Sequence, residues 1–227
     1  MNRLTQLAAG VILASGVVVS STASADVSYN IGWASEYFYR GALQKNSSGS
    51  AGIDYEFASQ DILDGEGGFS IGSWTADVGD GLEVDLYGAY GIELDSGFTA
   101  SIGFTGYYYT GEFDDTYEEV NFNFGYGIAS VEYSVGEYGN FGPSLDYDYF
   151  ALTLDFGSGF YGKFGTFGDE LDGDHFEFGY GTTVADFDVG VAVIFSSDEF
   201  AGVNGELTSA GKPDESEAIV FSIGKSF

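Results

Sequence analysis

Carboxylates spaced two residues apart are the groups in this chain best placed to do chemistry. Asp54 and Glu56, Glu83 and Asp85, and Asp146 and Asp148 form such pairs. Glu93, Glu132, Asp155, Glu177 and Asp188 stand singly between apolar neighbours, and Glu119 stands between Glu118 and Val120. Side chains two apart on a strand point to the same face. Repeated carboxylates on the inner face of a water-filled tube concentrate cations and repel anions. The same acids can instead hydrate an interior filled by side chains, or reflect a salty habitat, and spacing leaves that choice open. Arg40 and Lys163 share the parity of the acids. They can brace the wall by pairing with its carboxylates, or form a constriction that sorts solutes. An unpaired cation in so acidic a wall is unfavourable, which favours bracing.

Two further groups offer other chemistry. Asp169, Glu170, Asp172 and Asp174 cluster around Gly173, and Asp114 and Asp115 sit in another polar stretch. Oxygen-rich loops suit Ca²⁺, with Asp169, Asp172 and Asp174 as the ligand candidates, but the full EF-hand spacing is missing and a solvated acidic loop is the favoured reading. His175 is the single histidine. A serine hydrolase would need it beside a nucleophile, and spacing cannot show that adjacency; a residue at a strand start is the favoured alternative. There is no cysteine for a thiolate site or a disulfide and no phosphate-cradling loop. The expectation is a chain without cofactor, resident metal or catalytic residue.

The elements that must hold these groups are strands. Period-two alternation runs through nearly the whole chain after residue 26, helical stripes are hard to find, and 36 glycines argue against long helices. Outward apolar positions read Val27, Tyr29, Ile31, Trp33, Tyr37 and Tyr39 on the first strand. Leu82 to Leu94 and Phe98 to Tyr108 flank the tight turn Asp95-Ser96-Gly97, the clearest hairpin. Between residues 145 and 156 the phase changes from Tyr147 and Tyr149 to Phe150, Leu152, Leu154 and Phe156, which predicts a β-bulge near Tyr149. The pattern amounts to about twelve strands, an even number that leaves both termini at one end. Links at 95–97, 127–129, 157–159 and 184–186 are short and fall on that end. Those at 40–48, 110–116, 136–144, 168–174 and 196–215 are longer and fall on the other, while 58–67 and 77–81 break the asymmetry.

A soluble sandwich also alternates. Here, however, the second face is small and acidic, with Gly88, Ala89 and Gly91 beside Glu83, Asp85 and Glu93. The chain carries 36 Asp+Glu against 6 Lys+Arg, a formal net charge of −30 that repels nucleic acid. It also carries 17 Tyr and 21 Phe, far too many aromatics for a disordered acidic chain. The fold expected is all-β: one closed antiparallel transmembrane β-barrel, an up-and-down meander, with Tyr37, Tyr39, Tyr107 to Tyr109, Tyr147 and Tyr149 as interfacial girdles. Residues 1–25 read as an export leader, with Arg3, the apolar run Leu7 to Val19 and the small-x-small site Ala23-Ser24-Ala25, leaving 26–227 as the barrel. The final aromatic Phe227 resembles the C-terminal signal read by the outer-membrane insertion machinery; Lys225, of the same parity, can snorkel.

Several stretches are similar to the TorF family of porins. They are Ser35-Glu36-Tyr37-Phe38-Tyr39-Arg40-Gly41 with Gln44, Gly52-Ile53-Asp54-Tyr55, Gly72-Ser73-Trp74-Thr75-Ala76, Leu82-Glu83-Val84-Asp85-Leu86-Tyr87 and Tyr107-Tyr108-Tyr109-Thr110-Gly111. The likeness is fuller over residues 26 to about 135 than beyond. Thr110 stands where the family pattern leads one to expect Pro. The resemblance implies a porin-like barrel in the bacterial outer membrane without naming a solute. Together these readings favour a passive, cation-preferring porin for small hydrophilic solutes. A non-conducting structural or surface-binding barrel and, less favoured, an outer-membrane hydrolase remain as alternatives. Twelve strands lie between small filled barrels and wide porins, so a narrow or partly plugged lumen is expected. Oligomeric state is not legible.

Overall fold

The computed structural model describes residues 25–62, 64–205 and 207–227. Apart from Ala25, the expected leader lies outside them. The strands are β1 (Asp26–Tyr39), β2 (Ala42–Glu56), β3 (Gln60–Ile62), β4 (Gly65–Gly79), β5 (Gly81–Leu94), β6 (Thr99–Tyr109) and β7 (Tyr117–Tyr126). They continue with β8 (Ala129–Tyr138), β9 (Leu145–Gly157), β10 (Phe160–Asp169), β11 (Asp174–Val184), β12 (Phe187–Ser196) and β13 (Ser216–Ser226). Each long strand pairs antiparallel with its sequence neighbour, except that β2 pairs with β4, and the three-residue β3 pairs antiparallel with the start of β4, next to the stretch that β2 occupies. β1 then pairs with β13, from Asn30↔Ser226 to Ala34↔Ser222, and closes a twelve-strand barrel. Asp26 and Phe227 lie at one end, called the terminal end here; the opposite end is the far end.

Closure explains why so glycine-rich a chain holds together. Every long strand has two neighbours, so no long edge is left unpaired. Alternation does the rest: Val27, Tyr29, Ile31 and Trp33 face outward and exposed while Asn30, Gly32 and Ala34 face in. The outer wall continues through Ile71, Leu86, Ile102, Phe104, Phe124, Phe164, Phe178, Phe195 and Phe221, all exposed. Such an apolar exterior around a polar interior is the inverse of a soluble core.

Three sequence expectations are corrected. The link expected at 40–48 is a tight turn, because Arg40 (φ 47°) and Gly41 (φ 89°) both take left-handed backbone and β2 begins at Ala42. Residues 46–50, Asn-Ser-Ser-Gly-Ser, continue the strand with no apolar alternation to reveal it. No bulge occurs at Tyr149, since β9 pairs with β8 and β10 without a shift there. Tyr147 and Tyr149 face inward, 1% and 0% exposed, while Asp146 and Asp148 share the outward parity of Phe150. Tyr37, Tyr39, Tyr107 and Tyr109 also turn inward instead of forming an outer girdle, and the β1–β2 register shifts just after Tyr37.

The far end carries the long connections 110–116, 139–144, 170–173 and 197–215; the last holds a 3-10 turn (Asp198–Phe200) and the short helix α1 (Ala201–Asn204). At the terminal end the links at 95–98, 127–128, 158–159 and 185–186 are short, and only 57–64, which contains β3, is long. Two neighbouring positions on β6 test the two faces. Ile102→Arg, on the outer wall, is expected to destabilise the barrel refolded in lipid by about 2–4 kcal/mol, whereas inward Ser101→Arg costs much less. Urea titration in liposomes measures both; equal costs would contradict a lipid-facing outer wall.

Candidate functional site

The lumen changes character along its length. Near the terminal end its wall is small or polar: Asn30, Gly32, Ser50, Gly91, Ser101, Asn123, Gly179 and Gly190. In the far half it is aromatic, with Tyr37, Trp74, Tyr107, Tyr147 and Tyr149 all buried. The transition coincides with the most heavily bonded charge in the molecule.

Arg40 leaves the β1–β2 turn and crosses the lumen to β7 and β8 on the opposite wall. Its Nη1 donates to Glu119 Oε2 at 2.7 Å and its Nη2 to Glu119 Oε1 at 2.8 Å, a two-pronged fork on one carboxylate. Nη2 also donates to Glu132 Oε1 at 2.7 Å and to Ser134 Oγ at 3.2 Å. The guanidinium lies 4.1 Å from the Tyr149 ring centroid and 5.0 Å from that of Tyr39, positions where ring faces attract a cation. Glu119 additionally accepts from Tyr107 and Tyr147, each at 2.8 Å, and from Asn121 at 2.7 Å. Both side chains are fully buried. Two charges removed from water are tolerable only when paired and hydrogen-bonded this completely.

Other inward acids are satisfied by hydroxyls. Glu83 accepts from Tyr37 at 2.5 Å and from Tyr109 at 3.2 Å. Asp54 accepts from Tyr87 at 2.6 Å and from Asn30 at 3.5 Å, and Glu177 accepts from Tyr161. Asp188 accepts from Thr183 at 2.7 Å. Glu56, Glu93 and Asp155 have inward parity toward the terminal end. Asp85 is inward and buried in the far half. Asp146 and Asp148, expected in the lumen, are not there; the aromatic phase change that hid the inward tyrosines also misassigned their neighbours. Lys163 is buried 5.9 Å from the Tyr149 centroid and opposite Glu177 in the β10–β11 ladder.

Above the brace, the 197–215 connection folds back on the barrel. Phe200 is buried and lies against Phe167 and the positions of Gly41 and Gly173, where any Cβ would collide with its ring or with His175. Asn204 donates to Gly41 O at 3.2 Å and Ser216 Oγ at 2.8 Å and accepts from Leu43 N at 2.8 Å, and Ser196 donates to Gly41 O at 2.7 Å. The loop is thus clasped to the same turn that launches Arg40. His175 lies under this cap, with its Nε2 2.9 Å from the Tyr149 hydroxyl, so its partner is a tyrosine and not a serine.

Asp172 accepts from the backbone of Gly173 and Asp174 points outward from β11, and among the described residues no three acidic or histidine side chains gather as a metal site. Phe227 is outward, bonded through its backbone to Tyr29, with Lys225 lying over the rings of Phe187 and Phe227. The inward tyrosines, Phe200 and Asn204 escaped the sequence reading. The opposed phases of Tyr147/Tyr149 and Phe150/Leu152 were the one available sign of a strand with aromatics on both faces.

A bacterial family model, Gcw_chp, matches residues 19–198. The chain belongs to the Gcw_chp family. That family is described as bacterial protein of unknown function, so membership brings no activity with it. Among solved structures, a chain from work on the mechanism of in-meso crystallization of membrane proteins is 7% identical at a TM-score of 0.55, covering 88% of this chain and 83% of that one. This Gcw_chp member is also similar to a Rh. blastica porin variant (8% identity, 89% and 100% covered, TM-score 0.35) and to Acinetobacter baumannii OccAB2 (8%, 90% and 97%, TM-score 0.35). Only the first is near enough in shape to speak to the fold, which it shares. No curated protein matches the sequence significantly.

The brace predicts strong coupling. Arg40→Ala strands the buried Glu119 carboxylate and is expected to cost about 3–5 kcal/mol in urea unfolding from micelles, while Arg40→Met with Glu119→Leu recovers most of that loss. Additive costs in the double variant would show that the two charges do not act as a pair.

Proposed function

We propose that this Gcw_chp protein is a passive outer-membrane porin for small hydrophilic solutes, cation-preferring, and narrowed in its far half by the Arg40–Glu119 brace. The observation that carries this reading is the inner wall. Inward carboxylates greatly outnumber the inward cations Arg40 and Lys163, and one of those two is already spent on Glu119 and Glu132. A permeating cation therefore meets a negative potential along its path and an anion is repelled. The small-residue half gives water a wide entrance from the terminal end, and the brace sets the limit on size. Diffusion needs no cofactor. In this reading residues 1–25 carry the chain across the inner membrane, Phe227 engages the insertion machinery, and the terminal end faces the periplasm. The likeness to TorF porins belongs to this proposal and supports it.

A second reading, a non-conducting structural or surface-binding barrel, is favoured by one observation: Phe200 and its loop cap the far half above the brace. The hydrolase alternative has less to support it, since His175 bonds Tyr149.

Purified protein in a planar bilayer separates these readings. Wild type is expected to give small discrete conductance steps with a cation-selective reversal potential in a salt gradient, and Arg40→Ala to enlarge the steps several-fold. Anion selectivity would overturn the charge argument. Silence from both proteins would establish the non-conducting barrel instead.

A further inference from the structure

The braced half of the lumen contains one acid that the bonding scheme leaves out. Glu119 is neutralised by Arg40, Glu83 is capped by two tyrosine hydroxyls, Glu177 by one, and Asp54 by Tyr87 and Asn30. Asp85 is only 8% exposed, and its Oδ1 is the one buried carboxylate oxygen among the described residues without a hydrogen-bond partner. A buried carboxylate oxygen without a partner is costly, and either a proton or an incoming cation relieves it. The chain's own cations do not supply it: the Arg40 Nη atoms are committed to Glu119 and Glu132, and Lys163 lies at Tyr149.

Asp85 stands among aromatic rings, with Glu83 two residues away on the same face and Glu119 within electrostatic reach. Trp74 and Tyr107 are its direct neighbours across the β4–β5 and β5–β6 ladders, where side chains on one face stand about 5 Å apart. Tyr87 shares its face two residues along, and the hydroxyls of Tyr37 and Tyr109 lie within electrostatic reach. The indole Nε1 of Trp74, itself 6% exposed, is likewise unpartnered. A hard metal ion needs several oxygen ligands, and among the described residues no three acids are gathered closely enough to hold one. Ring faces and one carboxylate are instead the chemistry that holds a weakly hydrated organic cation.

We propose that Asp85, with the rings of Trp74, Tyr87 and Tyr107, forms a lumenal binding site for a small organic ammonium ion, and that Asp85 is the residue setting preference for such ions over alkali cations. This deepens the porin reading and rests on it for access to the lumen.

The protein supplies its own reporter. Its two tryptophans are Trp74 and the outward-facing Trp33, so Trp33→Phe leaves the indole beside Asp85 as the sole emitter. The refolded Trp33→Phe barrel is titrated in detergent with tetramethylammonium chloride, and separately with sodium chloride at equal ionic strength. A saturable change in Trp74 emission with tetramethylammonium alone is expected. Adding Asp85→Asn should weaken it about tenfold or more, and adding Glu118→Gln, on the outer face of β7, should leave it in place. Circular dichroism checks that each variant is folded. An absent response, an equal response to sodium, or one that survives Asp85→Asn in the folded barrel would overturn the site. Binding by a barrel that is silent in bilayers would sustain the site and overturn the porin reading. Conductance without any Trp74 response would do the reverse.

Discussion

Backbone pairing around a closed ring is the constraint from which everything else in this molecule follows. A chain with 36 glycines has little side-chain packing to hold strands in place, so the hydrogen-bond ladders must do so, and they can be complete only if the first and last strands meet. Closure fixes which face of each strand looks inward. It therefore decides that the acids at alternating positions converge on one enclosed space instead of dispersing over a surface. An acid-lined interior is a consequence of parity once the ring has closed.

The interior then poses an electrostatic problem, and the chain solves it differently at its two ends. Toward the terminal end, glycine and serine leave space, and water can solvate the carboxylates. In the far half, large aromatics take that space, and each carboxylate needs a donor from the protein itself. Tyrosine is suited to this role, being apolar over its ring and able to donate at its tip. Arg40 does what tyrosine cannot, delivering a permanent charge to a fully buried carboxylate on the opposite wall. Its left-handed backbone at the β1–β2 turn points the side chain into the barrel, and Asn204 and Ser196 hold that turn by bonding Gly41.

How much of this the sequence revealed depends on contrast between the two faces of a strand. Where the lumen is small and polar, as along Leu82 to Leu94 or Phe187 to Phe195, alternation stands out and strand, face and turn all follow from it. Where the lumen is aromatic the contrast fades. Tyr147 and Tyr149 read as a bulge and Tyr37 as an outer girdle residue, although β9 runs on without a bulge and Tyr37 is buried inside. Where neither face is apolar, as at 46–50, the strand itself disappears from view and its hairpin reads as a loop. The inward parity of Arg40, Glu119 and Glu132 could be read from spacing; that these three meet could not, because the contact spans the ring and depends on its curvature. Phe200 was invisible for a similar reason, since a single aromatic in a polar loop carries no period.

The seam between β1 and β13 has a mechanical consequence. It is held by register pairs from Asn30↔Ser226 to Ala34↔Ser222, whereas β1 and β2 are paired from Asp26↔Glu56 to Tyr39↔Ala42. Beyond Ala34 the ladder gives way to a side-chain bond, with Ser35 Oγ accepting from Phe221 N at 2.8 Å. Sideways tension on the wall would therefore concentrate at this shortest zipper, so the barrel has a built-in line of cleavage. The far-end clasp, in which Ser196 and Asn204 bond Gly41, acts as a rivet beside it.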